Sequence, residues 1–338
     1  MSFRCGVARR DILPAKPMFL VGYPHVARIS TGVHDPIFAS AAYFSDGSRE
    51  ILTLSLDLCY LMPQTVRAWR EAIRAATGIP ASHILVSPTH THSAPQTAEI
   101  LMWRGDPVVP RPDPDYMDLV ARRVLAAAME ARASAVDAEL AVTRAEARGV
   151  GRNRIARDGP MDYEVGILFA RRKADGAPLA ALTVYGMHPT VLHEDSTRIS
   201  SDFPHFARRQ IEESLPGSMV VYHNGPCGNL SPRYEVRVVR RGHCVRGPVV
   251  LFESAHEAVG AKDGEVQGVV VGDRELRRHS SYPTRQRAPT QPGRSFAPTA
   301  WGRTRCPWHE VLTRSRGGGP HATASPTLAC RASDAAAS

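Results

Sequence analysis

The sequence predicts an α/β fold, a mixed β-sheet flanked by helices, with a largely irregular C-terminal tail. Three observations predict it. Apolar, β-rich runs alternate with segments of helical period between residues 51 and 223. Three polar loops, THTHS, MHPT and NGPCGNLSP, each follow directly on a predicted strand, and ligand sites in open α/β sheets collect beyond the carboxyl ends of strands. The texture of the chain then changes after about Arg237.

Residues 51–59 (ILTLSLDLC) are an apolar run rich in strand formers. Residues 63–77 carry Val66, Trp69, Ile73 and Ala76 at helical spacing. A short apolar strand over 84–86 runs straight into SPTHTHSAP. The Pro-rich stretch 107–114 marks the start of an amphipathic helix over 116–131. Residues 138–147, 163–170 and 179–185 read as strands, the last ending in GMHPT. A helix over 203–214 precedes a strand over 218–223, which leads into NGPCGNLSP.

The domain so predicted spans 1–236, and 237–338 form a basic tail of low order. The tail contains no Met, Ile or Asn, and one Lys against 15 Arg. Stretches such as SSYPTRQRAPTQPGRS show no period, and such a composition buries little apolar area. Two origins stay open, a shifted reading frame in GC-rich DNA or a natural basic extension, and resequencing through codon 338 separates them.

With 338 residues, 43% of them hydrophobic, the chain is long enough for a sizeable core, as an enzyme or a binding protein. No run of about 18 apolar residues occurs, so no transmembrane segment is expected. MSFRCGVARRDILPAKP lacks an apolar stretch behind its basic residues, so a cytoplasmic location without a signal peptide is expected. The six cysteines form no CxxC pair, which suits a reducing compartment and speaks against zinc held by several thiolates. Of the net charge of +9, the tail carries +8, from 16 Lys/Arg against 8 Asp/Glu. The front part is nearly neutral, and no nucleic-acid partner is expected. Nothing in the sequence decides the oligomeric state.

The sharpest chemical signal is Thr89-His90-Thr91-His92-Ser93. In extended backbone, residues i and i+2 point to one face, so His90 and His92 could reach one metal, or one could bind metal while the other moves protons. A surface or core histidine pair is the alternative. His188, at a strand end and followed by Pro189, suits a ligand that must not move, or a structural histidine. Asn224–Pro232 is a Gly-rich turn carrying Ser231, which could approach a substrate carbonyl or simply form a tight turn.

Taken together and in this order, these segments resemble the neutral/alkaline, non-lysosomal ceramidase family over roughly residues 4–236. GVARRDILP is similar to the family's opening block, with Leu13 in place of a Thr. Gly22-Tyr23, GVHDPIFASAAYF, SLDLC around Asp57, THTHSAP, Asn153-Arg154, HPTVLHEDSTRISSDFP and GNLSP resemble successive family blocks. The resemblance implies a zinc-dependent hydrolase cleaving a ceramide-like lipid amide into a fatty acid and a sphingoid base. His90 and His188 would bind Zn2+. His92 would stand beside the metal as a proton-transfer group with a pKa near working pH. Arg154 would stabilise negative charge at the scissile group, and Ser231 matches the family's proposed catalytic serine. Structural or ligand-orienting roles are expected for His34, Asp57, His193 and Asp202.

Two departures matter. Asn229 replaces an aspartate in the GNLSP block. The family also completes its zinc site with a downstream Glu, in a Pro-Gly-Glu context, and a Tyr, and this chain has no Pro-Gly-Glu. Two histidines with solvent would hold zinc weakly, so substoichiometric zinc and an inactive polypeptide are expected. Hydrolysis of another amide or an ester, or a non-catalytic remnant, are the alternatives.

Overall fold

The computed structural model describes residues 3–23, 26–100 and 106–233. The tail predicted over 237–338 lies outside the described residues. The described chain runs β1 (Phe3–Asp11), β2 (Gly32–Val33), β3 (Phe38–Ser45), β4 (Glu50–Leu56), α1 (Pro63–Thr77), β5 (Ile84–Pro88), α2 (Pro114–Ala133), β6 (Val136–Glu146), β7 (Gly151–Asn153), β8 (Glu164–Arg172), β9 (Pro178–Tyr185), β10 (Arg198–Ile199), α3 (Phe203–Ser214), β11 (Met219–Asn224) and β12 (Leu230–Pro232).

Eight of these strands form one mixed sheet in the order β11-β9-β8-β6-β1-β3-β4-β5. Only the outermost pairs, β11 with β9 and β4 with β5, are parallel. The expected mixed sheet with flanking helices is therefore what forms. Each helix begins with a proline in its first turn, where a missing N–H costs nothing. Asp113 caps α2 by accepting from the Tyr116 N–H, and Asp202 caps α3 by accepting from Phe203.

α1 and α2 cover the β1-β3-β4-β5 half. Leu52, Leu54 and Leu56 of β4, Ile73 of α1 and Val120 of α2 are fully buried there. Each such side chain contributes about 1.5–3 kcal/mol through burial. α3 covers the other half, where Ala207 and Ile211 pack with Val165, Tyr185, Val220 and Tyr222.

The two ends of the sheet also meet. Ser55 of β4 donates to the Tyr222 carbonyl of β11, and Ser87 of β5 hydrogen-bonds His223 Nδ1 of β11 at 2.8 Å. Arg9 of β1 donates to the Val220 carbonyl at 2.8 Å and to Glu212 of α3 at 2.6 Å. This closure is what brings the carboxyl ends of β5, β9 and β11 to one place.

Closure also makes the fold acid-sensitive. His223 is buried, and desolvation pushes its pKa from 6.5 down to about 4. The unfolded chain takes up this proton as pH falls below 6.5, whereas the folded chain resists until about 4. The His223 contribution is thus complete above pH 6.5 and is lost as pH falls towards 4, by about 3 kcal/mol. Urea midpoints of chelator-treated protein should fall between pH 7 and pH 4.5, and less so in His223→Gln. Equal midpoints across that range would contradict this.

Candidate metal centre

The loop after β5 keeps pairing with the end of β4. The Thr89 N–H donates to the Leu56 carbonyl at 2.7 Å and the His90 N–H to the Leu58 carbonyl at 2.9 Å. His90 itself has a φ of 69°, in the left-handed region that a non-glycine residue rarely occupies. The HxH pair therefore does not sit in extended backbone, as its spacing suggested. The turn at His90, rather than strand alternation, aims both rings at one point, with centroids 4.9 Å apart and planes at 89°. Such a residue costs on the order of 1–3 kcal/mol and persists only where its surroundings enforce it.

His188 arrives three residues beyond β9. Its N–H donates to the Leu230 carbonyl of β12 at 3.3 Å. Gly186 is needed beside it, because a Cβ there would lie 2.5 Å from the Pro226 carbonyl oxygen. That close approach lays the loop after β11 over the His188 turn.

The decisive geometry lies in the rings. His90 Nδ1 faces the Cys59 carbonyl at 2.9 Å, and His188 Nδ1 faces the Cys227 carbonyl at 2.7 Å. A carbonyl only accepts, so both Nδ1 atoms carry the proton and both Nε2 atoms are left with lone pairs. These two Nε2 atoms face each other at 3.2 Å, and His92 Nε2 lies 3.4 Å from His90 Nε2. A proton between His90 and His188 would require an imidazolium, which burial opposes. Desolvation lowers His90, takes His188 down to about 4 and His92 to about 2. Between His90 and His188 there is no hydrogen to share, whereas His92 Nδ1 has no partner that fixes its tautomer. His92 at about 2 also differs from the expected pKa near working pH. Its burial and its histidine neighbours are the reason.

The other predicted residues surround this cluster. Arg154 is exposed and held by its Nε to the Gly228 carbonyl at 2.9 Å. Its positive charge further lowers all three histidines. Asn153 accepts from the Ile155 and Ala156 N–H groups, shaping the turn that carries Arg154. Ser231 is buried in β12, beside the residue whose carbonyl holds His188, and pairs with Arg152 of β7. Asn229 donates from Nδ2 to the Pro160 carbonyl at 3.0 Å, a bond that the aspartate it replaces could not make.

The carboxylates orient backbone rather than ligand rings. Asp57 forms a buried two-pronged pair with Arg208 of α3, both contacts at 2.8 Å. Asp202 accepts from the Val191 and Leu192 N–H groups just after His188. His34 binds Asp35 at 2.8 Å, and His193 stacks against Tyr23.

Several contributors were not foreseen. Arg28 is 1% exposed and donates to the carbonyls of His92, Val21, Leu20 and Ser196, clamping the His92 loop. Gly22, at φ +117°, leaves no room for a Cβ, which would lie 2.5 Å from the His92 ring. Two thiols that the sequence did not single out also reach the histidines. Ligand-type atoms of His90, His188 and Cys227 lie within 4.8 Å of one another, and so do those of Cys59, His90 and His92.

The residues fit a zinc-class cation. At a Zn–N distance of about 2.0–2.1 Å, two ligands of a tetrahedral ion stand roughly 3.3 Å apart. The His90–His188 separation of 3.2 Å matches that edge.

Fold and site together define a mixed-sheet α/β protein with a three-histidine cluster at converging strand ends. Among solved structures, the chain is similar to neutral ceramidase from Pseudomonas aeruginosa, with a TM-score of 0.59, 20% identity, and coverage of 70% of this chain and 40% of that one. It is similar too to a ceramidase complexed with C2, with a TM-score of 0.58, 20% identity, and coverage of 68% and 39%. The chain thus spans about two fifths of the length of the structures it resembles. No family model and no curated protein matches the sequence.

Proposed function

We propose that this chain carries the histidine part of a zinc-dependent amide hydrolase of ceramidase type, acting on a ceramide-like lipid amide. The observation that carries the reading is the facing pair of unprotonated Nε2 atoms on His90 and His188, 3.2 Å apart. The shared fold with the two ceramidase structures supports the choice of substrate class.

In this reading His90 and His188 hold Zn2+, which when bound activates water and polarises the scissile carbonyl. Net hydrolysis adds water across the C–N bond, giving a carboxylic acid and a free amine. In this reading His92, beside the metal pair, relays a proton from the attacking water to the leaving amine. Arg154, whose charge is felt at all three histidines, stabilises the negative charge that grows on the carbonyl oxygen. Ser231 takes a polar contact to the substrate. No helix among the described residues is long and apolar enough to cross a membrane. A ceramide-like substrate would reach the site from a membrane surface.

A second reading keeps the metal and changes the substrate to another amide or an ester. The half-exposed site lip at His90 and the exposed Arg154 favour no particular acyl chain. A panel of fluorogenic N-acyl amides and esters, assayed with added zinc, separates the two. Preferential hydrolysis of N-acyl sphingoid amides supports the proposal, and hydrolysis of esters alone would defeat it.

Gly22→Ala is a sharp test of the His92 role. The added Cβ would fall on the His92 ring, 2.5 Å from its Cγ. Zinc affinity should stay within about threefold, while turnover falls by roughly 100-fold or more, the usual share of a proton-transfer group. Unchanged turnover would remove His92 from the mechanism.

A further inference from the structure

We propose that Cys227 is a metal ligand, its thiolate joining Nε2 of His90 and His188 as the third protein donor to one zinc-class divalent cation. This rests on the reading of the histidine pair as a metal centre, and it concerns a residue that the resemblance does not assign. It also replaces the expectation of weak, substoichiometric zinc.

The placement of Cys227 is built, not incidental. One residue both orients a ligand and offers another: its carbonyl holds His188 Nδ1 at 2.7 Å, and its Sγ lies within 4.8 Å of a ring nitrogen of each histidine. At a Zn–S distance of about 2.3 Å, a tetrahedral site asks for an S–N edge of roughly 3.6 Å, a short adjustment from that spacing. The loop is pressed onto His188 by the Gly186–Pro226 approach. Asn224 Nδ2 donates to Cys227 Sγ at 3.3 Å, and Asn224 Oδ1 is itself held by the Met187 N–H and the Tyr222 hydroxyl. The sulfur is therefore an acceptor on a fixed donor, the outer support that metal thiolates use.

Cys59 is the competing thiol and sits on the wrong side. Its Sγ lies 3.7 Å from His90 Nδ1, the nitrogen already committed to a carbonyl, and it is wholly buried. Cys227 is partly buried and groups with His90 and His188, the two rings whose Nε2 atoms face each other. Two histidines, one cysteine and an open fourth position form a donor set suited to catalytic zinc. Binding releases the thiol proton to solvent, because a coordinating thiol is deprotonated by the ion.

The test is cobalt titration of the full chain after chelator treatment, in a background with Cys244, Cys306 and Cys330 changed to Ser. The parent and Cys59→Ala should show a near-ultraviolet thiolate-to-cobalt band with tetrahedral visible bands. Cys227→Ser should lose the near-ultraviolet band and weaken cobalt at least about 100-fold, the upper end of what outer-support losses cost. Cobalt bound with parental affinity and no thiolate band would overturn the Cys227 assignment and leave the histidine centre standing. A band kept in Cys227→Ser and lost in Cys59→Ala would also overturn it. No cobalt binding by the parent would overturn the metal centre itself. A measurement needing no variant uses alkylation of the parent by iodoacetamide, mapped by mass spectrometry. Saturating zinc should slow modification of Cys227 by at least tenfold, and an unchanged rate with zinc bound would overturn the assignment.

Discussion

His188→Ala is expected to abolish tight zinc binding, with affinity falling by more than the roughly 100-fold at which outer-support losses end. Amide hydrolysis, measured with zinc in slight excess, should fall to the background of added metal. The sign of the stability change is the more telling readout. In the metal-free protein, His90 and His188 oppose two lone pairs at 3.2 Å with no proton between them. Removing one ring relieves that opposition, so metal-free His188→Ala should melt close to the metal-free parent despite losing a buried side chain. Zinc should raise the melting temperature of the parent and leave that of the variant unmoved. A purely structural histidine would give the reverse, a large loss without zinc and the same response to zinc in both proteins.

Asp57→Asn is expected to destabilise the fold by about 3–5 kcal/mol, because it leaves the Arg208 guanidinium buried without its counter-charge. Arg208 is 3% exposed and Asp57 fully buried, so water cannot compensate. The melting temperature should fall by roughly 10 °C, given about 2–4 °C per kcal/mol for a domain of this size. The loss reaches the site, since the segment that carries Asp57 also supplies the Leu56, Leu58 and Cys59 carbonyls that hold Thr89 and His90. Zinc affinity should fall with stability. The double change Asp57→Leu, Arg208→Met should recover much of the loss, as well-packed apolar residues often replace buried ion pairs at little cost. A single variant within 1 kcal/mol of the parent would show that the pair is dispensable.

Much of the fold was legible because its signals are local. The helix read over 63–77 is α1, and that over 203–214 is α3, each opened by a proline and bearing one apolar face. The strands read near 51, 84, 138, 163, 179 and 218 all appear, with ends moved by a residue or a few. β1 and β3, at the centre of the sheet, were legible only as blocks of a resemblance. FRCGVARRD carries four charged residues and FASAAYFS mostly small ones, so neither shows a strand period. Their strand state comes from the helix and neighbours packed on them, which local pattern does not encode.

The site divides in the same way. His90, His92 and His188 were legible as residue types at strand ends, and the structure brings all three together. The means were not legible. A left-handed turn at His90 and closure of the sheet through Ser55, Ser87 and His223 place them, and both depend on contacts far apart in sequence. Cys227 was overlooked because thiol ligands are sought as closely spaced pairs, whereas here one cysteine joins histidines from other loops. Arg28 gave no signal, since nothing around it in sequence marks a guanidinium that binds four carbonyls.

The most direct test is a crystal of the full chain grown with zinc and measured at the zinc absorption edge. One anomalous peak should stand about 2.0–2.1 Å from Nε2 of both His90 and His188, with their Nδ1 atoms still on the Cys59 and Cys227 carbonyls. Zinc-saturated crystals with no peak between those two rings, or with either ring turned to present Nδ1, would contradict it.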